Sequence, residues 1–251
     1  MKPLAIDLFC GLGGWTEGLL AEGYDVVGFD IERHEYGDHR YPAQLVLQDV
    51  LTLHGSQFKD ATLIVASPPC QAYSYRAMPW KRAKALPPPD NTLFEACFRI
   101  QREACEAAGR HIPLVVENVR GAQKWVGRAR WNYGSFYLWG DVPALMPKAG
   151  AQLKGGDQFR PYRAALGGDP EQRTGDWTKL PGFRFDGSGR SFQSASVEGV
   201  KQHGSGREWF AGDGKISRLT SSRSPARKAA SAMIAKIPLP LSRHIAAVYR
   251  A

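Results

Sequence analysis

The chain has 251 residues, which is enough for one sizeable hydrophobic core or for a core domain with a smaller appendage. It carries 33 Lys and Arg residues against 24 Asp and Glu residues, and the resulting net charge of +9 favours an anionic partner such as nucleic acid. No apolar run is long enough to cross a bilayer, and Asp7 comes too early for a signal peptide, so we expect a soluble, cytoplasmic protein.

The four cysteines include no C-x-x-C pair, and the histidines form no cluster that is spaced for zinc. Free thiols in a reducing compartment are therefore expected, with no metal site. Cys97 and Cys105 fall within a helical pattern, where core packing is the favoured interpretation.

The amino terminus predicts a strand, a glycine turn and a helix. A short apolar run over residues 4–9 is followed by Cys10-Gly11-Leu12-Gly13-Gly14, and then by a helical pattern that includes Trp15 and Leu19. Glycines let a ligand approach the main chain closely, and the amino end of the helix offers free N–H groups. This turn indicates a nucleotide-type ligand without specifying which one.

The next two predicted strands each end in a carboxylate. Residues 25–30 end in Asp30, at the place where a doubly wound sheet binds ribose hydroxyls, and Ile31 after it is suited to cover one face of an adenine. Residues 45–49 repeat the pattern, with Asp49 placed to accept a hydrogen bond from an exocyclic amine. Each carboxylate alone also fits a solvated strand end or a helix cap.

A cysteine follows the fourth predicted strand. The apolar run over residues 63–66 leads to Ser67-Pro68-Pro69-Cys70, and two prolines force the chain to leave the sheet there. Cys70 is either a thiol presented at a ligand-binding sheet edge or a buried structural cysteine. Residues 73–89 then form a long loop of cations and aromatics, suited to a nucleic-acid backbone or simply exposed on the surface.

A helix is predicted over residues 92–108, and a buried strand over residues 112–116 ends in Glu117 and Asn118. A carboxyl group at the end of an apolar strand is partly desolvated, which raises its pKa and makes it a usable proton donor. Glu117 is thus expected to face the same cleft as Cys70. Residues 133–139 predict a further, aromatic strand.

The texture of the sequence changes over residues 141–217, which are rich in glycine and in mixed charges. We expect residues 1–140 to form a catalytic and cofactor-binding domain, residues 141–217 a small loop-rich target-recognition region, and residues 218–251 helices that return to the first domain. Helices are predicted over residues 224–235 and 241–249. Five aromatics of the middle region either read DNA or form a modest core: Trp177, Phe183, Phe192, Trp209 and Phe210.

Three of these segments, in this order, resemble the motifs of the cytosine-C5 DNA methyltransferase family. The stretch Asp7-Leu8-Phe9-Cys10-Gly11-Leu12-Gly13-Gly14 resembles its S-adenosylmethionine motif, Pro69-Cys70-Gln71 its nucleophile motif, and Glu117-Asn118-Val119 its proton-donor motif. The resemblance implies a doubly wound Rossmann-like α/β methyltransferase sheet, S-adenosylmethionine as cofactor, and double-stranded DNA as partner of a monomeric enzyme, prokaryotic or phage-encoded. It places the cofactor near Asp7, Phe9, Gly11, Gly13, Asp30, Ile31, Asp49 and Pro69.

The chemistry of this family explains the residue types. Cytosine C5 is a weak nucleophile, so the Cys70 thiolate would first add to C6 while Glu117 protonates N3. Asn118 would hold Glu117 or the neighbouring backbone in place. Because the target atoms lie inside the duplex, the base would be flipped into the cleft, which costs a few kcal/mol of unstacking.

The sequence departs from the family pattern at two places. Val126-Gly127-Arg128-Ala129-Arg130 keeps both arginines that contact the base in the family but has Val126 where glutamine is expected. The last motif appears as Ala235-Lys236-Ile237-Pro238, which would bring the Lys236 cation to the cofactor pocket. That cation raises a second possibility, carboxy-S-adenosylmethionine as donor and 5-carboxymethylcytosine as product, unless Lys236 instead meets the cofactor's own carboxylate, a DNA phosphate or solvent. A catalytically silent DNA-binding relative and an RNA methyltransferase are the remaining alternatives.

Overall fold

The fold is built on five parallel strands, and three of them, Leu4–Leu8, Leu63–Ala66 and Leu114–Asn118, are rich in Val, Ile, Leu or Ala and buried along nearly their whole length, as strands covered on both faces are. The computed structural model describes residues 2–73, 87–146 and 235–250, together with residues 228, 232 and 233. The chain divides into two compact units, Met1–Pro147 with Lys236–Ala251, and Lys148–Ala235. All the elements named below lie in the first unit.

Seven strands form one mixed sheet with the order β3-β2-β1-β4-β5-β7-β6. The first five strands in this order are parallel, and β7 pairs antiparallel with both β5 and β6. The strands are β1 (Leu4–Leu8), β2 (Asp25–Asp30), β3 (Gln44–Leu47), β4 (Leu63–Ala66), β5 (Leu114–Asn118), β6 (Trp131–Tyr133) and β7 (Phe136–Gly140). The doubly wound sheet expected from the sequence is confirmed.

Helices pack on both faces of the sheet. They are α1 (Gly14–Ala21), α2 (Thr92–Ala108), α3 (Gln123–Val126) and α4 (Leu239–Val248). One core cluster joins α2 to alternate residues of the strands, such as Ile64 and Val116. The other cluster joins α1 and α4 to the strand residues that face the opposite side of the sheet, such as Val65 and Val115. Because successive side chains of a strand point to opposite faces of the sheet, alternate strand residues face α2 on one side and α1 with α4 on the other.

Two glycines of α1 let it pack closely against the carboxyl-terminal segment. A Cβ atom at Gly14 would lie 2.3 Å from the backbone nitrogen of Ile237, and one at Gly18 would lie 2.3 Å from Oγ of Ser242. Ion pairs flank this contact, between Lys236 and Glu17 and between Arg243 and Glu22. The final helix is thus fixed against the helix that follows the glycine turn.

Three boundaries differ from the sequence prediction. The predicted aromatic strand over residues 133–139 is a hairpin of β6 and β7, because Gly134, with φ 60°, forms a turn between them. The last helix begins at Leu239 and not at residue 241, since Pro240 is accommodated in its first turn. The third strand ends at Leu47, two residues before Asp49.

Several predicted features lie outside the described residues. They are most of the loop over residues 73–89, the five aromatics of the middle region, and most of the helix over residues 224–235. Within the described residues, no helix combines the length and apolar character that a membrane span requires. The same part of the chain contains no group of three or more His, Cys, Asp or Glu side chains arranged to hold a metal ion.

Candidate cofactor and catalytic site

The turn after β1 has an unusual backbone. Phe9 has φ 57°, the one positive φ of a non-glycine residue in the described chain, and Gly11 and Gly13 have φ 51° and 78°. Backbone bonds close the turn, from the Cys10 N–H to the carbonyl of Phe29 (3.1 Å) and from the Gly13 N–H to the carbonyl of Cys10 (2.8 Å). A Cβ atom at Gly11 would meet nothing within 4 Å, so the main chain there faces open space where a ligand can approach.

Asp30 ends β2 directly beside this turn. Its Oδ2 accepts a hydrogen bond from the Gly11 N–H at 2.9 Å, and its Oδ1 lies 3.5 Å from Nε2 of His34. Burial raises the pKa of the carboxyl group, but the hydrogen bonds from His34, Gly11 and Glu32 outweigh it and hold the pKa below its usual value. Asp30 is thus an ionised acceptor next to the open side of the glycine turn.

Apolar side chains are exposed around the ends of β2 and β3. Ile31 is 74% exposed, Leu47 50% and Leu51 42%, so the three residues present aliphatic surface at these strand ends. Asp49 caps the turn that follows β3 by accepting from the Leu51 N–H at 2.9 Å. Carboxylates beside exposed aliphatic surface fit a nucleoside, whose ring is flat and apolar and whose edges and ribose are polar. Leu47 and Leu51 were not predicted from the sequence.

Asp7 lies beneath the turn and is only 1% exposed. Its Oδ2 accepts a hydrogen bond from Oγ1 of Thr16 at 2.7 Å. The side chain is therefore directed into the layer between the sheet and α1. Of the predicted cofactor residues, Asp7 supports the turn, while Gly11 and Asp30 border its open side.

Cys70 immediately precedes a short 3-10 turn, Gln71–Tyr73, and lies four residues after the end of β4. The thiol-bearing residue is partly exposed, Pro68 is buried and Pro69 is exposed. The carbonyl of Cys70 accepts from the Tyr73 N–H at 3.0 Å, and the buried Tyr73 donates its hydroxyl to Oδ1 of Asn91 at 2.9 Å. This anchors the turn to the start of α2.

Asn118 ties the end of β5 to the cysteine turn. Its Nδ2 donates to the carbonyl of Pro68 at 3.0 Å, and its Oδ1 accepts from the Val119 N–H at 2.8 Å. The amide nitrogen and the amide oxygen of this side chain, which is 1% exposed, thus each have a hydrogen-bond partner. Of the two roles expected for Asn118, the contact observed is the one with the neighbouring backbone.

Glu117 is 9% exposed and lies on the sheet face covered by α1 and α4. The register pairs Ala66 with Val116, so its continuation by one residue places Ser67 beside Glu117. Oγ of Ser67 accepts from Nε1 of Trp15 at 3.0 Å. Neighbouring strands lie about 4.8 Å apart, so the Glu117 carboxyl group and the start of the Pro68-Pro69-Cys70 turn share one edge of the sheet.

The two predicted base-contacting arginines are exposed, in the segment between α3 and β6. The Arg130 N–H donates to the carbonyl of Leu138 at 2.8 Å and so extends the pairing of β6 with β7. Oε1 of Gln123 accepts from the Ala129 N–H, between Arg128 and Arg130, at 3.2 Å. A glutamine is thus present three residues before Val126, where it holds the arginine segment.

Lys236 lies against the amino end of α1, and its side chain is 11% exposed. Its Nζ forms an ion pair with Oε1 of Glu17. Its Cγ lies 2.9 Å from the position that a Cβ atom of Gly14 would take. The side chain therefore lies beside the amino end of α1, and its charge is balanced by a carboxylate of the same chain.

These features define a Rossmann-like α/β domain with an open glycine turn and a cysteine near the carboxyl ends of its parallel strands. Residues 4–126 match the family model of the C-5 cytosine-specific DNA methylases. The match is to the family that the sequence motifs predicted. No curated protein matches the chain.

Three solved structures illustrate the similarity. A prophage-encoded E. coli protein described as a DNA modification methyltransferase is 25% identical over 50% of this chain and 34% of its own, with a TM-score of 0.36. The S. pombe Dnmt2 methyltransferase is 17% identical over 49% and 36%, with a TM-score of 0.33. The Entamoeba histolytica methyltransferase EhMeth is 14% identical over 59% and 56%, with a TM-score of 0.36. The match spans about a third of the length of the first two structures.

Proposed function

We propose that the protein transfers a methyl group from S-adenosylmethionine to C5 of a cytosine in double-stranded DNA, through a covalent bond between Cys70 and C6. The proposal is supported by two strand-end residues of the required chemical types, Cys70 after β4 and Glu117 in the paired β5, in a segment that matches the C-5 cytosine-specific DNA methylases. The cysteine turn and the Glu117 strand end share one sheet edge and are joined by the bond from Asn118 to Pro68.

The residues around the glycine turn fit this donor. Gly11 leaves open space at the turn, Asp30 offers an ionised acceptor for ribose hydroxyls, and Ile31 offers exposed aliphatic surface for an adenine. When bound, the donor supplies an electrophilic methyl group on its sulfonium. The chain itself binds the nucleoside part and orients the methyl group toward the base.

The side chains of the protein act on the cytosine base in successive steps. The Cys70 thiolate adds to C6, and Glu117 gives a proton to N3, so the electron pair of the C5–C6 double bond becomes available at C5. After C5 has taken the methyl group, with S-adenosylhomocysteine as by-product, a base such as water removes the C5 proton and the Cys70–C6 bond breaks. Glu117 takes back the proton from N3, so the thiolate, the acid and the aromatic ring are all restored. Arg128 and Arg130, which are exposed, would contact the flipped base and its phosphates.

The alternative donor, carboxy-S-adenosylmethionine, would require Lys236 to neutralise an added carboxylate. The ion pair between Lys236 and Glu17 already balances that cation, which favours the methyl donor. A catalytically silent DNA-binding relative would need neither Cys70 nor Glu117 at the sheet edge.

Mass spectrometry of nucleosides tests the proposal. Duplex DNA and duplex RNA are incubated separately with the protein, each with S-adenosylmethionine or with carboxy-S-adenosylmethionine as the donor. We expect 5-methylcytosine in DNA with S-adenosylmethionine, and none with a Glu117→Gln variant. A carboxymethyl adduct would reassign the donor, modification of RNA alone would reassign the substrate, and an unmodified cytosine under every condition would contradict the proposal.

A further inference from the structure

The glycine turn holds a conformation that needs support from outside. Phe9 lies in the left-handed region with φ 57°, where a residue with a Cβ atom is disfavoured by roughly 1–2 kcal/mol. Such strain persists only where surrounding contacts fix the backbone. Asp30 fixes one side of the turn through the Gly11 N–H.

A chain of buried side-chain hydrogen bonds fixes the other side. Oδ2 of Asp7 accepts from Oγ1 of Thr16 at 2.7 Å, and the same Oγ1 lies 2.7 Å from the hydroxyl of Tyr41. The exposures of Asp7, Thr16 and Tyr41 are 1%, 0% and 9%. Because Asp7 is in β1, Thr16 is in the first turn of α1 and Tyr41 lies between β2 and β3, the bonds join the three segments that surround the turn.

The ring of Tyr41 is also packed against two glycines. A Cβ atom at Gly28 would lie 2.3 Å from Cζ of Tyr41, and one at Gly13 would lie 3.1 Å from its Cδ2. A Cβ atom at Gly13 would also lie 2.5 Å from Cδ of Pro42. The absence of side chains on β2 and on the turn therefore makes room for this tyrosine, which then supports both.

Asp7 is the buried end of the chain. Burial raises its pKa from 3.8 to about 8, so it is largely protonated at neutral pH. Its Oδ1 is buried and has no hydrogen-bond partner among the described residues. A neutral acid, two hydroxyls and a packed ring thus form a polar network inside an otherwise apolar layer, where each lost partner leaves a desolvated group behind.

We infer that Thr16 and Tyr41, supported by Asp7, are positioning residues for the methyl donor: they hold the glycine turn in the conformation that binds it, without touching the donor themselves. The inference rests on the proposed function, because it assumes that the turn binds S-adenosylmethionine. It assigns a role to two residues that the sequence motifs did not single out.

Matched substitutions separate positioning from stability. Thr16→Val removes the hydroxyl at nearly constant volume, whereas Thr16→Ser keeps it. Tyr41→Phe removes a buried hydroxyl near the turn. Tyr24→Phe removes one far from it, because Tyr24 is 1% exposed and donates to the carbonyl of Ala246 at 2.9 Å. Donor affinity is measured by titration calorimetry with S-adenosylmethionine and S-adenosylhomocysteine, and stability by thermal unfolding.

We expect Thr16→Val and Tyr41→Phe each to weaken donor binding about tenfold, the effect of losing one buried hydrogen bond. Their double variant should bind within about twofold of the weaker single variant, because both break the same chain. Thr16→Ser should bind like the wild type, and Tyr24→Phe should lower the unfolding temperature with donor affinity unchanged within about twofold.

Two results are distinguishable. If Thr16→Val and Tyr41→Phe lower only the unfolding temperature, as Tyr24→Phe does, the positioning role is wrong while the proposed function stands. If the wild-type protein binds neither ligand, the donor assignment itself is wrong.

Discussion

Asn118 donates its side-chain amide to the carbonyl of Pro68, 3.0 Å away and 50 residues earlier in the chain. The bond joins the strand that carries Glu117 to the turn that carries Cys70. Since Asn118 is 1% exposed, water cannot replace either partner. The relative position of the proposed nucleophile and the proposed proton donor therefore depends on one amide side chain.

Asn118→Ala should lower kcat about 10- to 100-fold, because a misplaced reacting group loses much of its orientational advantage. KM for DNA should change little, since Asn118 is buried and does not face the DNA. Gln57→Ala is the control, because Gln57 is an exposed amide that donates to the carbonyl of His54 at 3.0 Å. Equal kcat values for the two variants would contradict this role.

The two ends of β2 provide a matched pair for the donor site. Asp30 ends the strand beside the glycine turn, and Asp25 begins it, exposed and 3.7 Å from Lys2. Asp30→Asn should weaken S-adenosylmethionine binding about tenfold, because a charged acceptor becomes neutral. Asp25→Asn should leave the dissociation constant within about twofold, since its surface ion pair contributes little. Calorimetric titration of both variants checks this, and comparable losses would contradict it.

Asp7 predicts a pH dependence of stability. Burial raises its folded-state pKa from 3.8 to about 8, so between these values the folded chain keeps a proton that the unfolded chain releases. The free energy of unfolding should therefore fall as pH rises from about 4 to about 8, by on the order of 1 kcal/mol per pH unit from this group. Asp7→Asn should remove this slope while Asn still accepts from Thr16. Urea unfolding at pH 5 and pH 8 measures both proteins, and identical slopes would contradict the prediction.

The ion pair of Lys236 and Glu17 should stabilise the contact of α1 with the carboxyl-terminal segment. Glu17→Gln leaves a nearly buried ammonium group unpaired and should cost about 1–3 kcal/mol of unfolding free energy. In a Glu17→Gln/Lys236→Met double variant, part of this loss should be recovered. If the single effects simply add, the pair is not coupled. Donor competition with Glu17→Gln also shows whether an unpaired Lys236 increases the use of carboxy-S-adenosylmethionine.

Much of the fold was predictable because local patterns and tertiary structure agree. The apolar runs of β1, β2, β4 and β5 end in turn-forming or polar residues, and α2 begins and ends where predicted. The aromatic stretch was misread as one strand, because β-propensity does not show that Gly134 reverses the chain. The helix start at Leu239 was missed because a proline reads as a breaker, although its first turn tolerates one.

The candidate site residues that follow a strand were predictable from the sequence. The residues that meet only through tertiary packing were not. Cys70, Glu117 and Asp30 each follow an apolar run. Thr16 and Tyr41 are separated in the sequence and interact only because α1 crosses the sheet beside the loop before β3. Gln123 gave no signal either, because its contact with Ala129 depends on how the chain turns after α3.

The most direct test of the account is covalent capture on duplex DNA that contains 5-fluorocytosine, in the presence of S-adenosylmethionine. Fluorine at C5 cannot leave as a proton does, so the proposed Cys70–C6 bond should persist as a denaturation-resistant complex. Cys70→Ser should abolish the complex, and Cys105→Ser, a change at a partly exposed cysteine of α2, should retain it. A complex that survives in Cys70→Ser, or no complex with the wild type, would contradict the account.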